Sequence, residues 1–185
     1  DLKGLLSDEQ IDHLIQVVKG RGGYVKDLHG QKQLYYQVNA TYFSALGEDE
    51  TKLLLARAIQ LFTPGKPQVW YLDLFAGRND HDAVARAGEG GHKEINRTNL
   101  TSTEVVQVLA QPVVQRQLEL LRFRQECPAF GFDAQLEVAD TPPDRIGLTW
   151  TRDGHSATLD ADLRSGAFSV RATDSSGTET FSFTQ

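Results

Sequence analysis

Apolar residues recur at helical spacing in three stretches of the first two thirds of the chain. The first follows a capping box at Ser7, in which a hydroxyl and a residue three positions later satisfy each other's backbone N–H groups. A second capping box begins at Thr101, ahead of the third stretch. The pattern predicts helices over 7–20, 48–62 and 101–126, the last interrupted at Pro112.

The segment 68–75 is an almost continuous apolar run, rich in aromatic and β-branched residues. This pattern is typical of a strand buried on both faces of a parallel sheet. One such strand needs neighbours for its backbone hydrogen bonds, so we expect a missing portion of the fold upstream. The aromatic-rich stretch 34–43 predicts a second buried segment, preceded by a loop. The residues 76–98 predict a long loop.

The pattern changes after Cys127, where short runs of alternating apolar and polar residues begin. Aspartate–glycine and serine–glycine pairs separate these runs and favour tight hairpin turns. We therefore expect an antiparallel β-domain over 128–185, joined to the preceding helix without a flexible linker. Trp150 and Phe168 lie at alternating positions and are predicted core residues.

Composition excludes several classes of protein. The 185 residues are 39% hydrophobic and 24% charged, with a net charge of −6 and no basic stripe for a nucleic acid. No apolar run is long enough to span a bilayer, and the first residues do not resemble a signal peptide. With Cys127 as the single cysteine, we expect a cytoplasmic protein. An anionic ligand would need a local positive site.

The segment 76–98 and its flanks carry the candidate chemistry. By residue type alone, Arg97 suits a structural salt bridge with Glu94 or another acid of the same loop. Asp73 ends the predicted strand and either functions or tethers the next loop. The run 79–82 holds a histidine and two aspartates but more often starts a helix than binds a metal. The glycines at 88–91 lack the spacing of a nucleotide loop, so we predict neither metal nor cofactor.

Three motifs occur in order along the chain: Y-Q-V-N-A-T-Y-F-S-A-L over 36–46, P-Q-V-W-Y followed by A-G-R-N-D over 67–80, and E-I-N-R over 94–97. The chain with these motifs resembles the sucrose phosphorylase family, the α-glucoside phosphorylases of the α-amylase clan. The resemblance implies an α/β fold: the last part of a (β/α)8 barrel over 1–127, followed by a small antiparallel all-β domain over 128–185.

The resemblance also implies a retaining double displacement, in which a carboxylate takes the glucosyl unit and inorganic phosphate then receives it as α-glucose 1-phosphate. The family's catalytic motifs, of the kinds R-x-D-A, E-V-H and D-T-H-D, do not occur in these residues. We therefore expect no catalytic residue in this chain. The expected partners are a sugar, inorganic phosphate and the upstream part of the same barrel; a homodimer is possible.

Site residues follow from the motif positions. Arg97 matches the arginine that grips a hydroxyl of the glucosyl unit, and Tyr36 and Gln37 match a mobile acceptor loop. Leu34 and Tyr35 depart from the L-D-L-Y-Q of sucrose phosphorylases, which favours a non-sucrose or broadened specificity. Further candidates for holding phosphate in the acceptor region are His29, Lys32 and Lys93.

Donors left open by the sequence are sucrose, sucrose 6-phosphate, glucosylglycerol and glucosylglycerate. Two other functions also stay open. A non-catalytic carbohydrate-binding module would use the same aromatic and arginine side chains without cleaving a bond, and a hydrolase of the same clan would pass the glucosyl unit to water.

Overall fold

The structure of the chain is a computed structural model. It describes residues 4–27 and 35–185, with 27, 35 and 36 described by their backbone alone. The helices are α1 (Asp8–Gly20), α2 (Tyr42–Ala45), α3 (Glu50–Phe62), α4 (Tyr71–Leu74), α5 (His81–Ala87), a 3₁₀ helix (Gly91–Asn96), α6 (Ser102–Leu109) and α7 (Pro112–Glu126). The strands are β1 (Tyr24–Asp27), β2 (Tyr35–Asn39), β3 (Gln135–Val138), β4 (Arg145–Arg152), β5 (His155–Asp162), β6 (Phe168–Thr173) and β7 (Glu179–Thr184).

The chain divides into two compact units. The first unit comprises Asp1–Asp49 and Trp70–Leu109, and the second comprises Glu50–Val69 and Ala110–Gln185. No helix in the described part of the chain is long and apolar enough to cross a membrane. The division into a barrel portion and a β-domain at Cys127 stays a prediction.

The two predicted capping boxes are both present in the first unit. The Ser7 hydroxyl accepts from the Gln10 N–H at 3.3 Å, and the Gln10 side chain accepts from the Ser7 N–H at 2.9 Å. The backbone N–H of Thr101 donates to the Glu104 carboxylate at 2.7 Å, and the Thr101 hydroxyl accepts from the Glu104 N–H. These bonds satisfy N–H groups that a helix start otherwise leaves free, which confirms the predicted starts of α1 and α6.

The second unit contains a five-stranded antiparallel sheet in the order β3-β4-β5-β6-β7. Along β5 and β6 every second side chain is buried, as the alternation in the sequence predicted. Trp150 and Phe168 are both core residues, 7% and 4% exposed. The antiparallel β-domain is thus confirmed.

An aromatic cluster joins the helices of the second unit to its sheet. Phe123 on α7 stacks on Phe181 of β7 at 4.2 Å between ring centroids and meets Phe130 edge-on at 5.8 Å. The Trp150 indole N–H donates to the carbonyl of Phe62 on α3 at 2.8 Å. Apolar burial supplies most of this unit's stability, and the one polar atom of the buried tryptophan has a partner.

The predicted buried strand over 68–75 is wrong. Trp70 is extended, but the residues after it form the helical turn α4, in which the Leu74 N–H donates to the Trp70 carbonyl at 3.0 Å. Among the described residues no strand pairs with this segment, so its backbone groups bond locally instead.

Two other local expectations also need correction. The predicted loop 76–98 contains α5 and the 3₁₀ helix, and the predicted loop before residue 34 contains β1. Of the stretch 34–43, the side chains described from residue 37 onward are only partly buried, because Val38 on β2 is 42% exposed whereas Asn39 is 3% exposed. On this strand the polar residue is buried and the apolar one is not, the reverse of an ordinary amphipathic strand.

Candidate functional site

A cleft of about 340 Å³ lies within the first unit. Its size falls at the lower end of the range of roughly 300–1,000 Å³ that is common for small-molecule sites. Six of its eight lining residues are polar or charged, which suits a hydrophilic ligand. The lining residues are Gln37, Val38, Asn39, Trp70, Asp73, Lys93, Asn96 and Arg97.

Strand β2 supplies one wall of the cleft. It pairs with β1 in antiparallel register, with Tyr24 opposite Asn39 and Lys26 opposite Gln37. Because side chains alternate along a strand, Gln37 and Asn39 lie on the same face. Two buried amide atoms on this face, Gln37 Oε1 and Asn39 Nδ2, have no hydrogen-bond partner among the described residues.

The opposite wall comes from the segment around α4. Asp73 accepts from the backbone N–H of Tyr42 through Oδ1, at 2.9 Å, and so tethers the start of α2. The tether to the following loop that the sequence suggested for Asp73 stays a prediction, and its side chain also lines the cleft. Trp70 is 51% exposed and donates its indole N–H to the Asn96 carbonyl at 3.1 Å. These bonds join the segment around α4 to the start of α2 and to the 3₁₀ helix.

Asn79 crosslinks the same region. Its Oδ1 accepts from the Thr41 N–H at 2.7 Å, and its backbone N–H donates to the Ser44 hydroxyl at 3.0 Å. The loop after α4 is thus fixed to the end of β2 and the start of α2. Because both bonds involve buried residues, the position of Asn79 is strongly determined.

Asp80 fixes the segment that carries Arg97. It caps α5 by accepting from the Ala83 N–H at 2.8 Å, and its second oxygen accepts from the Thr98 hydroxyl at 3.0 Å. The Ala83 backbone bond is the main cause of a lowered pKa for the Asp80 carboxyl, and the Thr98 bond lowers it further. The run 79–82 therefore starts a helix, as the sequence favoured. Among the described residues no three histidine, cysteine or acidic side chains cluster for a metal.

Arg97 lies at the end of the 3₁₀ helix, with its side chain 54% exposed. Its Nη1 is 3.4 Å from Glu94 Oε1, so the salt bridge weighed from sequence does form. An exposed pair of this kind is worth only about 0–1 kcal/mol, and it leaves most guanidinium N–H groups for a ligand. The cleft is lined by two cationic side chains, Lys93 and Arg97, and one anionic side chain, Asp73, so the net charge of its lining is positive. The net charge of the whole chain is negative.

The structure places the predicted site residues unevenly. Arg97, Gln37 and Lys93 come together in the cleft. Tyr35 and Tyr36 lie on β2, where their side chains are not described, and His29, Lys32 and Leu34 lie outside the described residues. The roles given to all of these residues stay predictions.

Sequence reasoning missed four residues of the cleft: Val38, Asn39, Trp70 and Asn96. Asn39 could have been found, because it lies two positions after Gln37 in a stretch of β-forming residues and so shares its face. Trp70 was assigned to a strand interior, and Asn96 was seen only as part of a motif.

Comparison with known proteins gives a consistent result, although no family model matches the chain. It is 54% identical over 171 residues, 91% of its length, to the sucrose 6(F)-phosphate phosphorylase of Ilumatobacter coccineus, of which it covers 32%. It is 37% identical over 185 residues to the sucrose 6(F)-phosphate phosphorylase of Thermoanaerobacterium thermosaccharolyticum, covering 37% of that protein. The glucosylglycerol phosphorylase of Marinobacter adhaerens is 36% identical over 180 residues and is covered to 36%.

A solved structure shows the same fold. The crystal structure of sucrose 6F-phosphate phosphorylase from Thermoanaerobacter thermosaccharolyticum matches the whole chain with a TM-score of 0.91 at 36% identity, over 37% of its own length. The predicted fold class, the last part of the catalytic barrel followed by a small antiparallel all-β domain, is confirmed by this match. The chain spans about a third of the length of the relatives it matches.

Proposed function

Because the chain belongs to the sucrose phosphorylase-type α-glucoside phosphorylases, as their carboxy-terminal part, we propose that it works within an enzyme that transfers an α-glucosyl unit to inorganic phosphate. The observation that carries the proposal is the cleft itself. In a chain with this family match, a polar cleft joins Arg97 to the amide-bearing face of β2. Such a lining suits a ligand with many hydroxyl groups.

The proposed reaction has two steps. A carboxylate forms a bond to the anomeric carbon as the bond to the acceptor oxygen breaks, and an acid protonates that departing oxygen. A phosphate oxygen then forms the bond to the anomeric carbon and the carboxylate leaves, giving α-glucose 1-phosphate. Retention requires two carboxyl groups only about 5 Å apart across one bond. We assign both to the remainder of the barrel and give this chain the task of binding and orienting the sugar.

Arg97 is the proposed donor-site group of this chain. Its planar guanidinium can donate to two neighbouring sugar oxygens at once, which fixes the ring as well as attracting it. The exposed pair with Glu94, at 3.4 Å, costs little to rearrange when a ligand enters.

Among the donors, we favour sucrose 6-phosphate with its phosphate on the fructosyl unit, so that the transferred glucosyl unit yields α-glucose 1-phosphate. Two relatives, at 54% and 37% identity, carry the name sucrose 6(F)-phosphate phosphorylase. Lys93 and Arg97 also give the cleft a positive excess that suits a phosphoryl group. Glucosylglycerol is the second candidate, supported by the relative from Marinobacter adhaerens at 36% identity. A cytoplasmic location and a homodimer are retained as expectations from sequence.

The test is a product assay on the full-length enzyme that contains this chain. Each of four glucosides (sucrose 6-phosphate, sucrose, glucosylglycerol and glucosylglycerate) is incubated with inorganic phosphate, and α-glucose 1-phosphate is measured. We expect phosphate-dependent product, with kcat/KM for sucrose 6-phosphate at least about tenfold above that for sucrose. Free glucose formed at the same rate with and without phosphate would instead identify a hydrolase. Binding without any product would identify a carbohydrate-binding module.

Lys93→Ala sharpens the choice of donor. Loss of this cation should reduce the preference for the phosphorylated sugar by about tenfold, while activity on sucrose changes little. Lys66→Ala is the matched control, because Lys66 is exposed and lies outside the cleft. An equal loss on both sugars would refute the role of Lys93 in recognising phosphate.

A further inference from the structure

Asn39 stands apart from the other buried polar residues of the described chain. Five polar or charged residues are buried there: Asn39, Thr41, Ser44, Arg57 and Gln117. The Thr41 hydroxyl accepts from the Ser44 N–H, the Ser44 hydroxyl donates to Glu48, and Arg57 donates to Gln117. Asn39 is 3% exposed, and its Nδ2 has no hydrogen-bond partner among the described residues. Each of the other four residues has at least one side-chain hydrogen bond, whereas the Nδ2 donor of Asn39 has none among the described residues.

The unpaired Asn39 Nδ2 is informative because a buried donor without a hydrogen-bond partner destabilises the folded state. Leaving a buried amide unpaired costs about 1–3 kcal/mol, and most buried polar atoms in proteins have a partner. Neighbouring amides in the same unit follow that rule: Asn96 Nδ2 donates to the Ala40 carbonyl at 3.2 Å, and Asn79 Oδ1 accepts from Thr41. The unmet atom of Asn39 belongs to a residue that lines the cleft, where a ligand can supply the partner.

Gln37 provides the complementary atom. It lies on the same face of β2, also lines the cleft, and leaves a buried acceptor, Oε1, without a partner among the described residues. A hydroxyl group both donates and accepts, so sugar hydroxyls can satisfy the acceptor of Gln37 and the donor of Asn39. An ionised phosphate oxygen only accepts, and it would leave Gln37 unmet.

We propose that Asn39 is a sugar-binding residue of this cleft, whose Nδ2 donates to a hydroxyl oxygen of the bound glucoside beside Gln37. The proposal rests on the phosphorylase function proposed above and adds a residue to its substrate contacts. It also divides the lining by chemistry. The amide face of β2 and Arg97 hold the sugar hydroxyl groups, while Lys93 faces the phosphoryl group of the ligand.

A structural role is the competing explanation. In it, Asn39 Nδ2 bonds to another part of the longer protein and merely holds β2 in place. The two explanations differ in what a substitution changes. A structural bond affects stability and reduces activity on every substrate alike, whereas a sugar contact depends on the presence of one particular hydroxyl.

The experiment uses the full-length enzyme with Asn39→Ala and with the near-isosteric Asn39→Asp, which keeps the shape but replaces the donor. Thr41→Ala is the matched structural control. Thr41 is 1% exposed and lies two residues further on, and it caps α2 without lining the cleft. The measurements are kcat/KM on sucrose 6-phosphate and on a set of its monodeoxyglucosyl analogues, together with the melting temperature with and without glucose.

We expect Asn39→Ala to lower kcat/KM by roughly 10- to 100-fold on the natural donor. On the analogue that lacks the contacted hydroxyl, wild type and variant should agree within about threefold, and glucose should raise the variant's melting temperature less. Thr41→Ala should lower the melting temperature while leaving the ranking of the analogues unchanged. If Asn39→Ala does not fold, Asn39→Asp is judged by the same criteria.

The proposal is overturned if the Asn39 variants lose activity equally on all analogues, or if they change only the melting temperature. Failure of the proposed function is a separate outcome, seen when wild-type enzyme yields no α-glucose 1-phosphate. In that case the change in melting temperature on adding glucose tests the role of Asn39. If glucose raises the melting temperature of wild type and of Thr41→Ala but not that of Asn39→Ala, the result supports sugar binding by Asn39. A wild type without any rise contradicts it.

Discussion

The two units of the chain treat buried polar groups differently. In the second unit the buried Arg57 donates to Gln117 at 3.0 Å, and the Trp150 indole bonds to a helix carbonyl. In the first unit the cleft buries Gln37 Oε1 and Asn39 Nδ2 without partners among the described residues. Arg152 Nε in the second unit also lacks a hydrogen-bond partner, but it lies 3.7 Å from Asp153 Oδ2 and does not line the cleft. Gln37 and Asn39 do line the cleft, where a ligand can supply the missing partners.

The largest effect is expected in the second unit. Phe123→Ala removes a ring that is 6% exposed and packs on Phe62, Phe130 and Phe181. We expect a loss of about 3–5 kcal/mol in the free energy of unfolding, measured by chemical denaturation, because the cavity cannot refill.

Phe132→Ala is the control for that change, because the Phe132 side chain is fully exposed and its loss should change stability by less than about 0.5 kcal/mol. Equal effects of the two substitutions would contradict the description of the second unit as an apolar core.

Arg97→Ala tests the other side of the comparison. We expect kcat/KM for glucosyl transfer by the full-length enzyme to fall by at least about 100-fold, with little change in melting temperature, because the exposed pair with Glu94 stabilises the fold only slightly. Arg78→Ala is the matched control, since Arg78 forms an exposed pair with Glu48 outside the cleft. Activity of Arg97→Ala within about threefold of wild type would remove Arg97 from the donor site.

Asp80 gives the smallest of these effects and one that depends on pH. Asp80→Ala should cost about 1 kcal/mol, because it removes the cap of α5 and the bond from Thr98. Hydrogen exchange of the α5 amides would measure the loss locally.

The pH dependence follows from the lowered pKa of the Asp80 carboxyl. A lowered native pKa means that the carboxylate's stabilisation is complete above its ordinary value of 3.8 and disappears as pH falls through the native value. Asp80→Asn keeps an acceptor for the cap but carries no charge. Wild type should therefore have the larger free energy of unfolding at neutral pH, and this difference should disappear in acid. A difference that does not change with pH would refute an electrostatic contribution from the Asp80 carboxylate.

The sequence predicted the second unit well for a physical reason. Its helices and strands carry their own signals, such as the alternation along β5 and β6 and the glycine turns between strands. The strand predicted over 68–75 was wrong because an apolar run does not distinguish a strand from a helical turn, and pairing partners decide between them.

The cleft was predicted only in part. Arg97, Gln37 and Lys93 could be selected by residue type and motif, whereas Asn39 could not be recognised as buried until its strand and register were known. Burial of an amide depends on contacts distant in sequence, and no local pattern reports whether its hydrogen bonds are met. The sequence could thus place Asn39 on the same face as Gln37, but it could not show that Asn39 is buried with an unpaired donor.

The central claim is that the cleft binds the glucosyl donor through Arg97 and the amide face of β2. A crystal structure of the full-length enzyme with sucrose 6-phosphate, its nucleophile substituted to prevent turnover, tests it most directly. The account predicts sugar hydroxyl oxygens within about 2.7–3.2 Å of an Arg97 guanidinium nitrogen and of Asn39 Nδ2. A sugar bound elsewhere, with Asn39 Nδ2 bonded to the protein, would contradict it.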